Sequence, residues 1–443
     1  MKRLSLLIAC LAVVVLSLMF AVAVSADGEM MLTTTAAPSA NCLSCHDSMT
    51  PGIVESFGAS KMASVLDCTS CHGNHHADKT SAPTIDTCAT CHADKVAQYK
   101  EGKHALAWDA MVACPVSAGN SDVLTGLTNS MKGCNQCHTV GIISDDKIES
   151  EKIVRDVNPC DSCHLRHTFS VEQAKDPESC AQCHIGFDHP QYEMWVDSAM
   201  GVAYEAGLKA PSCVECHMKD GNHAVKTAWG FLALRYPEED ADWLANRVVI
   251  LQGLGVIDRN GEFTDRLKVV SDYDIARLTA EDFNKLYAEE KARCAECHAT
   301  SFVEAQFGAA ETVMKEADAI MAEAINIVYK LFDDKIIKPT EGWDVYPDLL
   351  QFHNSDNTIE NELFDMFLSY RNRAFQSTFH MNADYTFWFG MDAMRVSLDN
   401  IKAEDAALRA AHSANTTKTI AFIGLGVAVV ALAIGVVVFL KKK

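Results

Sequence analysis

A mainly α-helical fold is what the sequence predicts, and three observations predict it. Eight Cys-x-x-Cys-His strings lie scattered between residues 42 and 298, joined by what can be short turns and helices, except that Gly119 to Lys132 and Trp229 to Lys291 carry apolar residues of their own and the second is long enough for several helices. After His298 the composition shifts to Ala, Glu, Met and Leu, and Ala309 to Phe332 and Thr358 to Phe379 carry apolar residues at helical spacing with few breakers. Strand-like alternation is hard to find anywhere.

At 443 residues the chain is long enough for two or three domains. Of its 18 Cys, 16 fall in the eight strings and leave only Cys10 and Cys114, an arithmetic that favours covalent haem over a disulfide framework. The strings are Cys42-Cys45-His46, Cys68-Cys71-His72, Cys88-Cys91-His92, Cys134-Cys137-His138, Cys160-Cys163-His164, Cys180-Cys183-His184, Cys213-Cys216-His217 and Cys294-Cys297-His298. Each supplies two thioether bonds to a haem and a proximal imidazole, held under the iron by the short spacing. One such string could be chance or a zinc or redox site; eight leave that reading negligible. Their separations are irregular, so this is no solenoid repeat.

Both ends speak to location. Met1-Lys2-Arg3, an apolar run from Leu4 to Val24, and Val24-Ser25-Ala26 before Asp27 match a signal peptide over residues 1–26. A lipoprotein reading at Leu7-Ile8-Ala9-Cys10 leaves too short an apolar stretch before Cys10. From Ile420 to Leu440 there is no charge over 21 residues, enough to cross a bilayer, so a transmembrane helix is expected over 419–440 with Lys441-Lys442-Lys443 as a cytoplasmic tail. That places the body on the extracytoplasmic side of a cell membrane, where c-type haem attachment is completed.

Between the ends we expect a linker (27–41), an octahaem domain (42–300) and a helical C-terminal domain (301–412). The class is therefore mainly α: a multihaem cytochrome c with a haem-packed core, a helical C-terminal domain and a C-terminal transmembrane helix. A formal charge of −21, from 38 Lys plus Arg against 59 Asp plus Glu, argues against nucleic acid as a partner. It reads as an acidic soluble surface, or as attraction for a basic redox partner.

The sixth coordination position separates electron carriers from catalytic haems, because a second strong ligand closes the iron. Nine His lie outside the strings. His412 precedes the membrane helix and reads as a surface residue. If His189 serves chemistry, then His75, His76, His104, His167, His223, His353 and His380 remain as distal ligands, enough to close seven haems and leave one open. Met can also ligate, so the count suggests this division without proving it.

Several strings resemble the hydroxylamine oxidoreductase family of octahaem cytochromes, which shares its catalytic core with pentahaem nitrite reductases. Cys180 to Gln191 resembles the family's haem motif followed by G-F-D-H-P-Q. Cys213 to Phe231 is similar to its C-x-x-C-H-M, G-x-H and T-A-W-G-F signature, and Trp243 to Asp258 to W-x-x-x-R-x-x-I-L-Q-x-L-G-V-x-D. Phe379-His380-Met381-Asn382-Ala383-Asp384-Tyr385 resembles its F-H-x-N-x-D-Y stretch, so the likeness covers most of Cys42 to about Leu398.

The resemblance implies that the fourth string, Cys134-Cys137-His138, binds the catalytic haem, with Asp188 and His189 over its open face. An imidazole suits the proton exchange that accompanies redox chemistry on a small nitrogen compound, and a neighbouring carboxylate could orient it. In the alternative, Asp188 caps a turn and His189 ligates a neighbouring haem. Oxidative members cross-link a Tyr to the catalytic haem, commonly from the next subunit of a trimer. Tyr385 is the candidate here, with Tyr370 near it, although Tyr385 packing with Phe387 and Trp388 is the structural alternative. Where the family reads S-K-H-G, this chain has Ser198-Ala199-Met200-Gly201, so Met200 or another His must replace that ligand. Cys114 reads as a small buried hydrophobe.

The expected function is oxidation of hydroxylamine at one open haem, with seven others passing electrons to a cytochrome or a quinone-linked membrane cytochrome. The alternatives are nitrite or hydroxylamine reduction in the reverse direction, and a pure electron-transfer conduit.

Overall fold

A computed structural model describes residues 23–24, 30–31, 40–73, 83–112, 134–144, 146–148, 159–228, 234–268 and 278–441. The signal-peptide region, His75, His76, Cys10, Cys114 and the cytoplasmic tail beyond Lys441 lie wholly or mostly outside them. The regular structure of the described residues is nearly all helix. One antiparallel pair of two-residue strands, β1 (Ala23–Val24) and β2 (Met30–Met31), and one isolated bridge, Ile257 to Phe263, complete the regular pairing among these residues.

The haem-attachment half is made of short helices: α1 (Ala40–Met49), α2 (Pro51–Ala59), α3 (Cys68–His72), α4 (Ile85–Lys100), α5 (Ala107–Val112), α6 (Asn135–His138), α7 (Val171–Lys175), α8 (Pro177–Ala181), α9 (Gln191–Val196), α10 (Ala199–Glu205) and α11 (Cys213–His217). The strings themselves set this scale. In four of them the His backbone N–H closes onto the first Cys carbonyl, at 3.0 Å for Cys134, Cys160 and Cys294 and 2.9 Å for Cys180. One turn thereby brings the first Cys, the second Cys and the His to a common side. Polar residues just before the first Cys start the turn: Asp67 accepts from the Ser70 N–H at 3.0 Å, and Ser212 and Glu215 form a capping box.

The second half is built from long helices: α12 (Ala241–Gly253), α13 (Ala280–Ala295), α14 (Thr300–Asp333), α15 (Thr358–Asp365), α16 (Asn372–Phe379), α17 (Ala383–Thr386) and α18 (Ala393–Lys441). Two π-helical turns, Met366–Arg371 and Phe387–Asp392, are set between α15 and α16 and between α17 and α18. The 34 residues of α14 reach about 51 Å. Its buried positions, among them Val303, Phe307, Ala310, Met314, Ala317, Met321, Ile325 and Val328, recur every three or four residues and make one apolar stripe. Burying a side chain such as Ile325 or Met321 contributes roughly 1.5–3 kcal/mol. The same core takes in Leu234, Ile250, Leu251, Leu254 and Leu267, so the expected division at residue 300 cuts through a continuous apolar cluster.

Helix α18 is seated on α14 by Met394, Leu398 and Ile401, all buried, and by the exposed ion pairs Arg395–Glu316, Lys402–Glu323 and Arg409–Asp334. Each exposed pair is worth at most about 1 kcal/mol, so the pairs fix register more than stability. Beyond them the helix runs on unbroken through Ile420–Leu440 with its apolar side chains exposed, long and apolar enough to cross a membrane.

Candidate functional site

The fourth string is pinned by its neighbours. The His138 Nδ1 donates to the Ala107 carbonyl at 2.6 Å, and the chain after it is tied by Tyr99 Oη to the Val140 carbonyl at 2.6 Å and by the Ile142 N–H to the Ala105 carbonyl at 3.0 Å. Gly141 permits this approach, because a Cβ there would lie 2.4 Å from the Trp108 backbone nitrogen. Two buried polar atoms beside the string, Trp108 Nε1 and Thr139 Oγ1, have no partner among the described residues.

Opposite His138 stands the turn that follows the sixth string. Gly186, at φ +93°, lets the chain reverse there, and its N–H donates to Glu193 Oε1 at 2.7 Å. Asp188 and His189 are thereby held together, with His189 Nδ1 3.0 Å from Asp188 Oδ2, and the His189 ring centroid 6.1 Å from that of His138. Burial alone would push Asp188 up, but the hydrogen bond to His189 and its charge hold the carboxyl below the usual range. Burial likewise opposes charge on His189, and the bond to Asp188 reverses this, leaving the imidazole raised.

Four other string histidines each stand against a histidine from outside the strings. Ring centroids are separated by 6.2 Å for His72 and His167, 5.9 Å for His184 and His104, 6.3 Å for His164 and His223, and 6.4 Å for His217 and His380. Two imidazoles bound on opposite sides of one metal at about 2 Å each have centroids roughly 6 Å apart. The nitrogens agree with this. Nδ1 is engaged by Gln191 Oε1 for His184, by the Gly221 carbonyl for His223 and by the Gln376 carbonyl for His380, which leaves Nε2 for an iron in each. Burial lowers His104, His167, His223 and His380 and, together with nearby imidazoles, brings His184 to about 4 and His217 to about 3. These rings are therefore kept neutral, as ligation requires. His189 is shifted the other way.

Thiols of different strings meet. Cys42 lies against Cys68, Cys88 against Cys160, Cys137 against Cys183, and Cys180 against Cys213. Cys71 is near Cys88, Cys163 near Cys180, and Cys216 near Cys294. The donor set fits covalent haem: paired thiols, neutral imidazoles and orphaned buried N–H and O–H groups beside them.

Some expected residues sit elsewhere. His353 turns its Nε2 onto Asp365 Oδ1 at 2.8 Å and packs edge-on against Phe364. Tyr385 packs on Phe389 at 5.1 Å and faces Glu193 and Asp197, while Phe387 and Trp388 are exposed, so the expected three-ring cluster does not form. Asn382 places this segment, capping the Tyr385 N–H at 3.1 Å and donating to the Met194 carbonyl at 2.9 Å. Met200 is half-buried in α10, and His412 is exposed on α18.

Two other residues carry no signal in the sequence. Half-buried Lys103, brought by desolvation to about 8, donates to the Thr227 carbonyl at 2.9 Å and so ties the His104 segment to the His223 segment. Gln376 accepts from Gln191 Nε2 at 2.8 Å. A Gly-Lys-His string and isolated glutamines carry no periodic signal that would single them out.

Comparison with known proteins agrees with this architecture. A family model described as seven times multi-haem cytochrome CxxCH matches residues 38–247, which hold the first seven strings. A probable nitrite reductase-hydroxylamine oxidoreductase fusion protein of Kuenenia stuttgartiensis is 26% identical over 363 residues; the match covers 67% of this chain and 38% of that protein, so the chain spans about two fifths of its relative's length. Among solved structures, a reducing HAO-like protein complex of the same organism superposes with TM-score 0.65 at 20% identity, covering 85% of this chain and 86% of that one. A hypothetical multiheme protein superposes with TM-score 0.61 at 20% identity, covering 86% and 98%.

Proposed function

Because this chain is a multihaem cytochrome c with the hydroxylamine-oxidoreductase-like fold and covalently bound haem c, we propose that it is an octahaem oxidoreductase of small nitrogen compounds, with hydroxylamine oxidised at the fourth string. The observation that carries this reading is the Asp188–His189 pair held opposite His138, 6.1 Å from it between ring centroids. Haem bound at that string would supply the open iron and the one-electron chemistry. His138, fixed by the Ala107 carbonyl, would be its single strong protein ligand. His189 exchanges protons at Nε2 with the substrate nitrogen or oxygen, and Asp188 keeps Nδ1 protonated and stabilises the charged ring. His167, His223, His104 and His380, each about 6 Å from His72, His164, His184 and His217 between ring centroids, would hold haem as second ligands at those four strings, and a haem so held would carry electrons. The apolar end of α18 anchors the body to a membrane and a cytochrome or quinone-linked cytochrome exchanges its electrons.

The test is His189→Ala in the haem-loaded chain. The expected outcome is an unchanged low-spin content with turnover of hydroxylamine or nitrite lowered about 10²-fold or more. A new high-spin signal would show His189 to be a distal ligand, the pure conduit that its equal spacing to the ligand pairs favours. A second reading, the reverse reduction of nitrite or hydroxylamine, is favoured by Tyr385, which within this chain faces Glu193 and Asp197.

A further inference from the structure

A polar strap joins two of the paired imidazoles. His184 Nδ1 donates to Gln191 Oε1 at 3.2 Å, Gln191 Nε2 donates to Gln376 Oε1 at 2.8 Å, and the backbone carbonyl of that same Gln376 accepts from His380 Nδ1 at 3.1 Å. The two glutamines lie 185 positions apart in sequence, on α9 in the haem-attachment half and on α16 in the helical half. Each of these three bonds joins a donor to an acceptor. Each head group of Gln191 is used, and neither imidazole spends the Nε2 that an iron needs.

We propose that Gln191 and Gln376 are positioning residues that set the reduction potential of the haem under the sixth string, Gln191 as the Nδ1–H acceptor of His184 and Gln376 by tying that acceptor to the helix whose carbonyl holds His380, opposite His217 of the seventh. This rests on the reading that both histidines are iron ligands. The physical reason is the electron density on the ring. An imidazole that donates its Nδ1–H to a good acceptor becomes a more basic ligand at Nε2, stabilises the oxidised iron and lowers its potential. The Cys180 and Cys213 thiols are in contact, so the two sites are adjacent as well as strapped. A shift in α16 relative to α9 would loosen Gln191 and reach His184, which gives the helical half a route to the electron-transfer core that passes through no covalent attachment.

The test is a spectroelectrochemical titration of the haem-loaded full chain carrying Gln191→Leu, Gln191→Glu or Gln376→Leu, with the low-spin signal read in each. Low-spin content should stay constant. Leu at 191 removes the acceptor and should raise one couple by about tenfold in its one-electron equilibrium, ~59 mV, whereas Glu, a stronger acceptor, should move the same couple down. Gln376→Leu keeps its backbone carbonyl on His380 but unanchors Gln191, and should give a smaller upward shift. Shifts of the same sign for Leu and Glu, or none, overturn the strap, since a packing role would move both alike. His104→Ala separates the two levels: it should create one high-spin haem, and its failure to do so overturns the ligand reading and the strap with it. Opposite shifts together with that high-spin signal uphold both.

Discussion

Arg247 reaches Asp318 with two nitrogens, Nε at 3.0 Å and Nη2 at 2.6 Å, and both residues are buried. Arg371, at the end of the first π-helical turn, meets the other carboxylate oxygen at 2.8 Å, and Trp243 Nε1 adds a bond at 2.7 Å. One carboxylate thus holds α12, α14 and the π turn together. Burial pushes Asp318 up, but Arg247, Arg371 and the Trp243 N–H more than reverse this and keep it below the usual carboxylate range. Asp318→Asn would leave two buried guanidiniums without their counter-charge, at a cost of about 3–5 kcal/mol in denaturant unfolding of the haem-loaded protein. The pH dependence follows from the lowered value. The folded carboxyl is the stronger acid, so its contribution is complete above the ordinary value of about 3.9 and is lost as pH falls from there through the folded value; the Asn variant should lack that loss.

Spin state distinguishes the histidines that face a string from the one that does not. His104→Ala and His223→Ala should each produce one high-spin haem in the electron paramagnetic resonance spectrum. His353→Ala should produce none, since its Nε2 is occupied by Asp365. A high-spin haem in the His353 variant would restore it as a ligand.

Tyr385→Phe addresses direction. If Tyr385 of one copy is bonded to the haem of another, the variant's haem peptide should lose a Tyr adduct in mass spectrometry, and hydroxylamine oxidation should weaken more than reduction. Absence of an adduct in the unaltered protein would favour the reductase.

Deletion of residues 419–443 should release a soluble protein with its haems in place. In the described body the core contacts of α18 end well before Ile420, and everything from there to Leu440 is exposed. Membrane attachment that survives the deletion would point to lipid on Cys10.

Mass spectrometry of the mature chain should find eight covalent haems on a protein starting near Asp27. Seven would indicate that Cys294-Cys297-His298, which lies outside the matched multihaem region, is not loaded.

The attachment strings could be read directly because their chemistry is local: two Cys and one His within five positions of one helical turn. The stripes of α14 and α16 were legible for the same reason. Pairing was not, since the count of spare histidines says nothing about which one crosses to which string. His167 and His72 are 95 positions apart, and only the tertiary fold decides that they meet. Trp243 to Asp258 was recognisable as a segment, yet its packing into the C-terminal core depends on Asp318, 71 positions beyond Arg247. The π turns escaped notice because one extra residue per turn leaves the apolar pattern of the flanking helices intact.

The meeting of thiols also defines a graph. With each string a node, contacts join first to second, second to third, third to fifth, fifth to sixth and seventh to eighth, and the sixth also touches the fourth and the seventh. Among the described residues the sixth string, Cys180-Cys183-His184, is then a node from which three branches leave, and the fourth hangs from it as a leaf. Removing an end node such as the first shortens one branch, but removing the sixth disconnects the fourth from every other node at once. Tolerance to damage in this chain should therefore be graded by connectivity, with the residues around Cys183 the least replaceable.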